Sequence, residues 1–220
     1  MRNYIILAVL LLGGFVFVYW SNLPKEKAHD LPILNPIDID NSVVDPEMLR
    51  VGQGHTIGDF KLQNQDGKWI TRKEVEGKVF VAEYFFTTCQ TICPVMTMEM
   101  ERVAEKYKGN KDVKILSFTV DPDMDDVEQM KRYAEAHQAD AKQWHFLTGA
   151  KKDLYELARK SFFLLKPAEA ENLGDAGSDF IHTNNFVLVD RKGRIRGYYD
   201  GTNANGVDHL IRDIQLLLEE

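Results

Sequence analysis

Two cysteines, Cys89 and Cys93, are the only ones in the chain, and three residues separate them. The surrounding stretch reads Phe85-Phe86-Thr87-Thr88-Cys89-Gln90-Thr91-Ile92-Cys93-Pro94. An apolar run, Val79 to Phe86, precedes the pair as a buried strand would. After it, Pro94 suits a first helical turn, and Met96, Met100, Val103 and Tyr107 repeat at helical spacing. The cysteines therefore belong at a strand-to-helix junction, where free backbone N–H groups and the helix dipole favour thiolate over thiol. Two cysteines four positions apart are close enough to hold one ion between them or to form a disulfide. A purely structural disulfide closing so short a loop would add little stability.

The spacing narrows the chemistry. General thiol–disulfide oxidoreductases of the thioredoxin type place two residues between their cysteines and a proline opposite them, just before a later strand. Here three residues intervene, no proline follows Pro167, and the corresponding position before strand 185–190 carries His182-Thr183. Two thiolates and an imidazole suit a thiophilic ion, with Cu(I) favoured by thiolate and Cu(II) accommodated by a Cys2His set. Zinc is a weaker match, because structural zinc usually takes four ligands. A peroxidase is disfavoured, since Phe86 stands where the peroxiredoxin threonine would be.

The elements that would position these residues follow from periodicity. Residues 60–71 read as a hairpin about Asp66-Gly67, with a type I′ turn. Val113–Val120 and Gln143–Leu147 read as further strands, and Val127, Met130, Ala134 and His137 mark a helix between them. A helix from Lys151 to about Leu164 and a Gly- and acid-rich loop from Pro167 to Asp179 come next. Strands at 185–190 and 194–199 and an amphipathic helix carrying Val207, Leu210, Ile211, Ile214, Leu217 and Leu218 close the chain. The predicted class is α/β. It is a thioredoxin-like fold with an N-terminal hairpin and an inserted helix and loop, preceded by one transmembrane helix.

That last helix is the uncharged run Tyr4–Trp20, 17 residues flanked by interfacial aromatics. It lacks small residues at a cleavage site and reads as an uncleaved anchor. Residues 22–53 contain four of the seven prolines and read as a flexible tether, leaving 54–220 as the folded domain. With 27 basic and 34 acidic residues the net charge is −7, which gives no electrostatic footprint for nucleic acid. The composition, 44% hydrophobic, is that of a chain able to build a core.

The CxxxCP at 89–94, Asp121-Pro122 followed by Asp125 after the second core strand, and His182 before a later strand together resemble the Sco/SenC family. The likeness covers about residues 50–220 and extends to the anchor and tether. It implies a membrane-anchored copper protein that helps assemble the binuclear copper A centre of cytochrome c oxidase. Cys89, Cys93 and His182 would be the copper ligands, with subunit II of the oxidase or another copper acceptor as partner. Asp121 and Asp125 match the family's DxxxD pattern, linked there to metal transfer or partner contact. The family commonly reads Cys-Pro-Asp-x-Cys-Pro, and Gln90-Thr91 here departs from it.

Among the methionines, Met96 and Met100 fall on the apolar stripe, so Met98 is the candidate for a transient copper donor or docking contact. The expectation is therefore a monomeric copper carrier for Cu(I) and Cu(II), held on a bacterial inner membrane with its domain in the periplasm; a mitochondrial inner membrane is the lesser alternative. The rivals are a dedicated reductase for the acceptor's cysteines and a copper-dependent redox sensor.

Overall fold

The computed structural model describes residues 14, 31–40, 44, 47–164 and 183–220. Of the chain's two units, Met1–Asp30 and Leu31–Glu220, the account below concerns the second. Apart from Gly14, the anchor expected over 4–20 lies outside the described residues, as does the loop carrying His182. Among those described, no helix is long and apolar enough to cross a membrane.

Seven strands form one mixed sheet: β1 (Lys61–Asn64), β2 (Trp69–Thr71), β3 (Val79–Phe85), β4 (Val113–Thr119), β5 (Trp144–Thr148), β6 (Asn185–Val189) and β7 (Ile195–Asp200). Their order is β2-β1-β5-β4-β3-β6-β7. Strands β3, β4 and β5 run parallel, joined through α1 (Cys93–Lys106) and α2 (Val127–Ala136). The remaining pairings are antiparallel. Two more helices, α3 (Lys151–Lys160) and α4 (Ala204–Glu219), complete the set among the described residues. This is the expected thioredoxin-like core with its hairpin and inserted helix.

All seven residues of β3 are buried, as a continuous apolar run at the centre of a sheet covered on both faces should be. Phe80, Ala82 and Tyr84 point to one layer, shared with α3 through Leu154, Leu157 and Ala158. Val79, Val81 and Phe85 point to the other. That second layer holds Met96, Met100 and Val103 of α1, Met130 and Ala134 of α2, and Val207, Leu210 and Ile214 of α4. Consecutive right-handed crossovers from β3 to β4 to β5 put α1 and α2 on the same face, and the cysteine pair goes with them.

Two expectations change on inspection. The hairpin is present, but its turn is not a two-residue type I′. Asn64 N–H donates to Lys68 O at 2.9 Å and Gly67 N–H donates to Asn64 O at 2.8 Å, so the loop is the three residues 65–67. Gly67 takes the left-handed conformation at φ 70°, the usual partner of a type I turn in such loops. The Asn64 side chain decides it: its Oδ1 accepts from the amides of Asp66 and Lys68, at 3.1 and 3.0 Å.

The second change concerns the segment read as a tether. From residue 31 part of it packs on the domain. Leu34 bridges Ile195, Pro36–Asp38 forms a short 3-10 turn, and Val44 is buried. Hydrogen bonds from the Arg196 guanidinium to the carbonyls of Leu31 and Pro32, at 2.7 and 3.1 Å, are the physical reason.

Candidate metal centre

The cysteine loop leaves β3 at Phe85 and enters α1 at Cys93, so the pair caps the carboxyl end of the parallel strands. Cys93 is the first residue of α1, with Pro94 behind it, while Cys89 lies in the loop before the helix. The first-turn N–H groups of a helix have no intrahelical partner. One of them, on Cys93, donates to Cys89 Sγ at 3.5 Å. The Thr91 hydroxyl contacts the same sulfur at 3.5 Å. Thus Thr91, one of the two residues that depart from the family pattern, offers a hydroxyl able to donate to a Cys89 thiolate, which an aspartate carboxylate could not do.

These contacts make the two thiols unequal. Burial alone would push the Cys89 thiol up. Hydrogen bonds from the Cys93 thiol, the Thr91 hydroxyl and the amides of both residues outweigh it and bring Cys89 down to about 7. Cys93 is pushed up to about 12 by burial, by donating to the Cys89 sulfur, and by the charges of Cys89 and Glu83. Neither sulfur is in a disulfide and both side chains are buried, with Cys89 9% and Cys93 4% exposed. One sulfur is thus ready to ionise at neutral pH beside another that holds its proton.

Beneath them lies a buried carboxyl that periodicity reading does not single out. Glu83 sits between Val81 and Phe85 on the cysteine face of β3, 1% exposed. Its Oε1 accepts the Ser117 hydroxyl at 2.6 Å, and Ser117 Oγ accepts Trp144 Nε1–H at 2.8 Å. The other oxygen, Oε2, has no hydrogen-bond partner. Burial, only partly offset by Ser117, raises this carboxyl to about 7. A glutamate inside an apolar run is the one local signal that could have found it.

Asp121 is half-buried at the end of β4. Asp125 is fully buried: its carboxylate accepts from the amide and hydroxyl of Thr87 and from the Thr119 hydroxyl. Burial raises its pKa, and those hydrogen bonds oppose the rise. Met96 and Met100 are core residues without exposure, whereas Met98 is 53% exposed. His137 pairs with Glu101 at 2.7 Å, His55 with Ser161 O at 2.9 Å, and His145 with Asn64 at 3.4 Å, all away from the cysteines. Among the described residues no group of three His, Cys, Asp or Glu side chains gathers as a metal site. His182 lies outside them. The next residue, Thr183, is buried and leads into β6. Since β6 runs antiparallel to β3, pairing Ala82 with Val187 and Phe80 with Val189, its first residue is at the cysteine pole of the sheet.

A profile of the SCO1/SenC family matches residues 50–219. An SCO1 protein homolog of Bacillus subtilis (strain 168) is 36% identical over 164 residues, covering 73% of this chain and 82% of that one. Among solved structures, a SCO1/SenC family lipoprotein from Bacillus anthracis str. Ames aligns with a TM-score of 0.64 at 31% identity. It covers 76% of this chain and 96% of its own. BsSco aligns at 0.62 with 34% identity, covering 75% and 94%. It is described as a member of the Sco family of cytochrome c oxidase assembly proteins, with a disulfide switch.

Proposed function

The chain belongs to the SCO1/SenC family, and from that premise we propose that it is a copper carrier for the assembly of cytochrome c oxidase. It takes copper as cargo on Cys89, Cys93 and His182 and delivers it to the binuclear copper A site of subunit II. The observation that carries this reading is the cysteine pair at the start of α1, where the Cys93 amide donates to Cys89 Sγ at 3.5 Å and the Thr91 hydroxyl contacts the same sulfur at 3.5 Å, an arrangement that favours the thiolate at Cys89. Thiolate, not thiol, ligates copper, so loading begins at Cys89 and releases the Cys93 proton as the second bond forms. Soft sulfur donors match Cu(I), and an imidazole extends the set to Cu(II). The entry of β6 at the cysteine pole supports His182 as third donor.

The run Tyr4–Trp20 supports a membrane anchor; in this reading the membrane is a bacterial inner membrane, the domain faces the periplasm and the chain works as a monomer. Met98 is the exposed thioether available for a transient contact during hand-over. Asp121 lies at the same pole, half-buried, and suits a contact with the acceptor.

A second reading has its own support. A low-pKa cysteine beside a protected one is also what dithiol exchange uses, the first as nucleophile and the second as resolving thiol. A relative at 34% identity carries a disulfide switch. Such a chain would reduce the acceptor's cysteines without carrying metal.

One experiment separates the two. The full chain in detergent, loaded anaerobically with Cu(I), is mixed with apo copper A domain whose cysteines are already reduced. A carrier moves copper to the acceptor, and its own bound copper falls in step. A reductase leaves the reduced acceptor unchanged and acts only on the oxidised one, with or without copper.

A further inference from the structure

The ends of β3 and β4 lie side by side, and a single buried carboxylate ties them. Asp125 Oδ2 accepts Thr87 N–H at 3.2 Å and the Thr119 hydroxyl at 2.6 Å. Oδ1 accepts the Thr87 hydroxyl and, at 3.3 Å, the same Thr87 amide. Each hydroxyl that donates here also accepts: Thr87 Oγ1 from Gln129 Nε2 at 2.9 Å, and Thr119 Oγ1 from the Asp121 amide at 2.9 Å. The Asp125 amide returns to Asp121 O at 2.9 Å, and Asp126, not Asp125, caps α2 through Gln129 N–H at 2.7 Å. Every proton in the network is therefore directed. Both carboxylate oxygens accept in this arrangement, each from a threonine hydroxyl and both from the Thr87 main-chain N–H, which cannot be turned round.

We infer that Asp125 is a positioning residue for the cysteine pair: it fixes Thr87, and so sets where Cys89 Sγ stands relative to Cys93, without touching metal or partner. Thr87 precedes Cys89 by two residues, and Cys89 N–H closes the intervening turn on Phe86 O at 3.3 Å. A carboxylate with no exposed surface has nothing to offer a docking protein. Half-buried Asp121, at the same pole, is left as the member of the DxxxD pair able to make that contact. The inference rests on the copper reading for its metal readout, but its geometry does not need it.

The test uses the full chain in detergent, reduced under anaerobic conditions, as wild type, Asp125→Asn, Thr87→Ala and Asp121→Asn. Asparagine keeps the shape but has one acceptor oxygen, so its amide takes the place of one acceptor and a threonine hydroxyl must turn its proton away from it. Cu(I) affinity is read by competition with a chromophoric chelator, the sulfur-to-Cu(II) absorption band by spectroscopy, and the Cys89–Cys93 reduction potential by equilibration with a dithiol buffer. We expect Asp125→Asn to weaken Cu(I) binding about 10- to 100-fold, as loss of a group orienting a ligand does, and to shift both the band and the potential. Thr87→Ala should move all three in the same direction by less, and Asp121→Asn should leave them at wild-type values. A folded Asp125→Asn chain with wild-type affinity, band and potential, defective only in transfer to the acceptor, would overturn the inference. If Asp125→Asn does not fold, Thr87→Ala decides by the same criteria. If the wild type binds no copper, the copper reading fails, and an unchanged reduction potential would still reject the positioning role.

Discussion

At the residue scale the centre depends on hydrogen bonds to one sulfur. Cys89 is surrounded by donors and Cys93 by a carboxyl and by Cys89 itself, and this sorts two chemically identical thiols into a reactive and a protected one. In the reduced apo chain, Cys89 is expected to alkylate with a pH midpoint near 7, while Cys93 stays unmodified across the range in which the fold survives. Mass-resolved iodoacetamide labelling against pH checks this. Thr91→Val removes one donor to the thiolate, a loss of about 1.5 kcal/mol, and should raise the Cys89 midpoint by about one unit. An unchanged midpoint would show that the Thr91 hydroxyl does not hold the sulfur. The cysteine pair itself was plain in the sequence from its spacing and from Pro94. The asymmetry was not, because it depends on the direction of hydrogen bonds from Thr91 and the Cys93 amide, which residue order does not encode. Asp125 misleads for a related reason: within Asp-Pro-Asp-Met-Asp-Asp it reads by itself as a helix N-cap, but Asp126 caps the helix and Asp125 is buried.

At the element scale, β3 does two jobs. Its alternating faces seal both layers of core, and its carboxyl end presents the cysteine loop. Glu83 interrupts that apolar run, and its buried carboxyl with a pKa near 7 makes stability depend on pH. Because the folded-state value exceeds the ordinary 4.5, the folded chain binds the extra proton. The contribution is full below about pH 4.5, is lost progressively as pH rises to about 7, and is constant above that. The span corresponds to about 3 kcal/mol. Glu83→Gln should abolish this slope, so that the stability difference between variant and wild type grows from pH 4.5 to 7. Denaturant unfolding at a series of pH values measures it, and a constant difference would contradict the assignment. β3 and β4 were legible to within one residue and α4 by its apolar face, since long apolar runs and a clear amphipathic stripe leave few alternatives. The β1–β2 turn was misread because Asp-Gly is a strong two-residue signal, while the Asn64 side chain recruits Asp66 and Lys68 into a longer loop.

At the scale of the whole domain, the two ends of the sheet are specialised. The cysteines occupy the pole where β3 ends, and Arg196 lies at the other, beside the Ile195–Val189 pairing and Phe80. Seven residues of strand separate the poles by roughly 20 Å. Arg196 spends all its donors there: Nε on Pro32 O, Nη1 on Asp190 and Glu220, Nη2 on Leu31 O and Glu220. The arriving segment is thus clamped at the pole opposite the cysteine pair. Arg196→Met should cost about 2 to 4 kcal/mol, below the full penalty for breaking a buried pair because Glu220 is partly exposed. Hydrogen exchange at the Leu34 amide, bonded to Ile195 O at 2.9 Å, should accelerate while the Cys89 alkylation midpoint stays where it was. A shift of that midpoint would show the poles to be coupled. Among the described residues of 22–53 only short 3-10 turns and the Leu34 bridge occur, yet composition could not show that Arg196 binds the carbonyls of Leu31 and Pro32.

The central claim, that Cys89 and Cys93 form a copper centre completed by His182, is tested most directly by titrating the reduced full chain with Cu(I) under anaerobic conditions. Stoichiometry would be compared among wild type, Cys89→Ser, Cys93→Ser and His182→Ala. The account predicts one copper per chain, lost in either serine variant and bound more weakly in the alanine variant. Copper that fails to bind the wild type, or that binds equally well without Cys89 or Cys93, would contradict it.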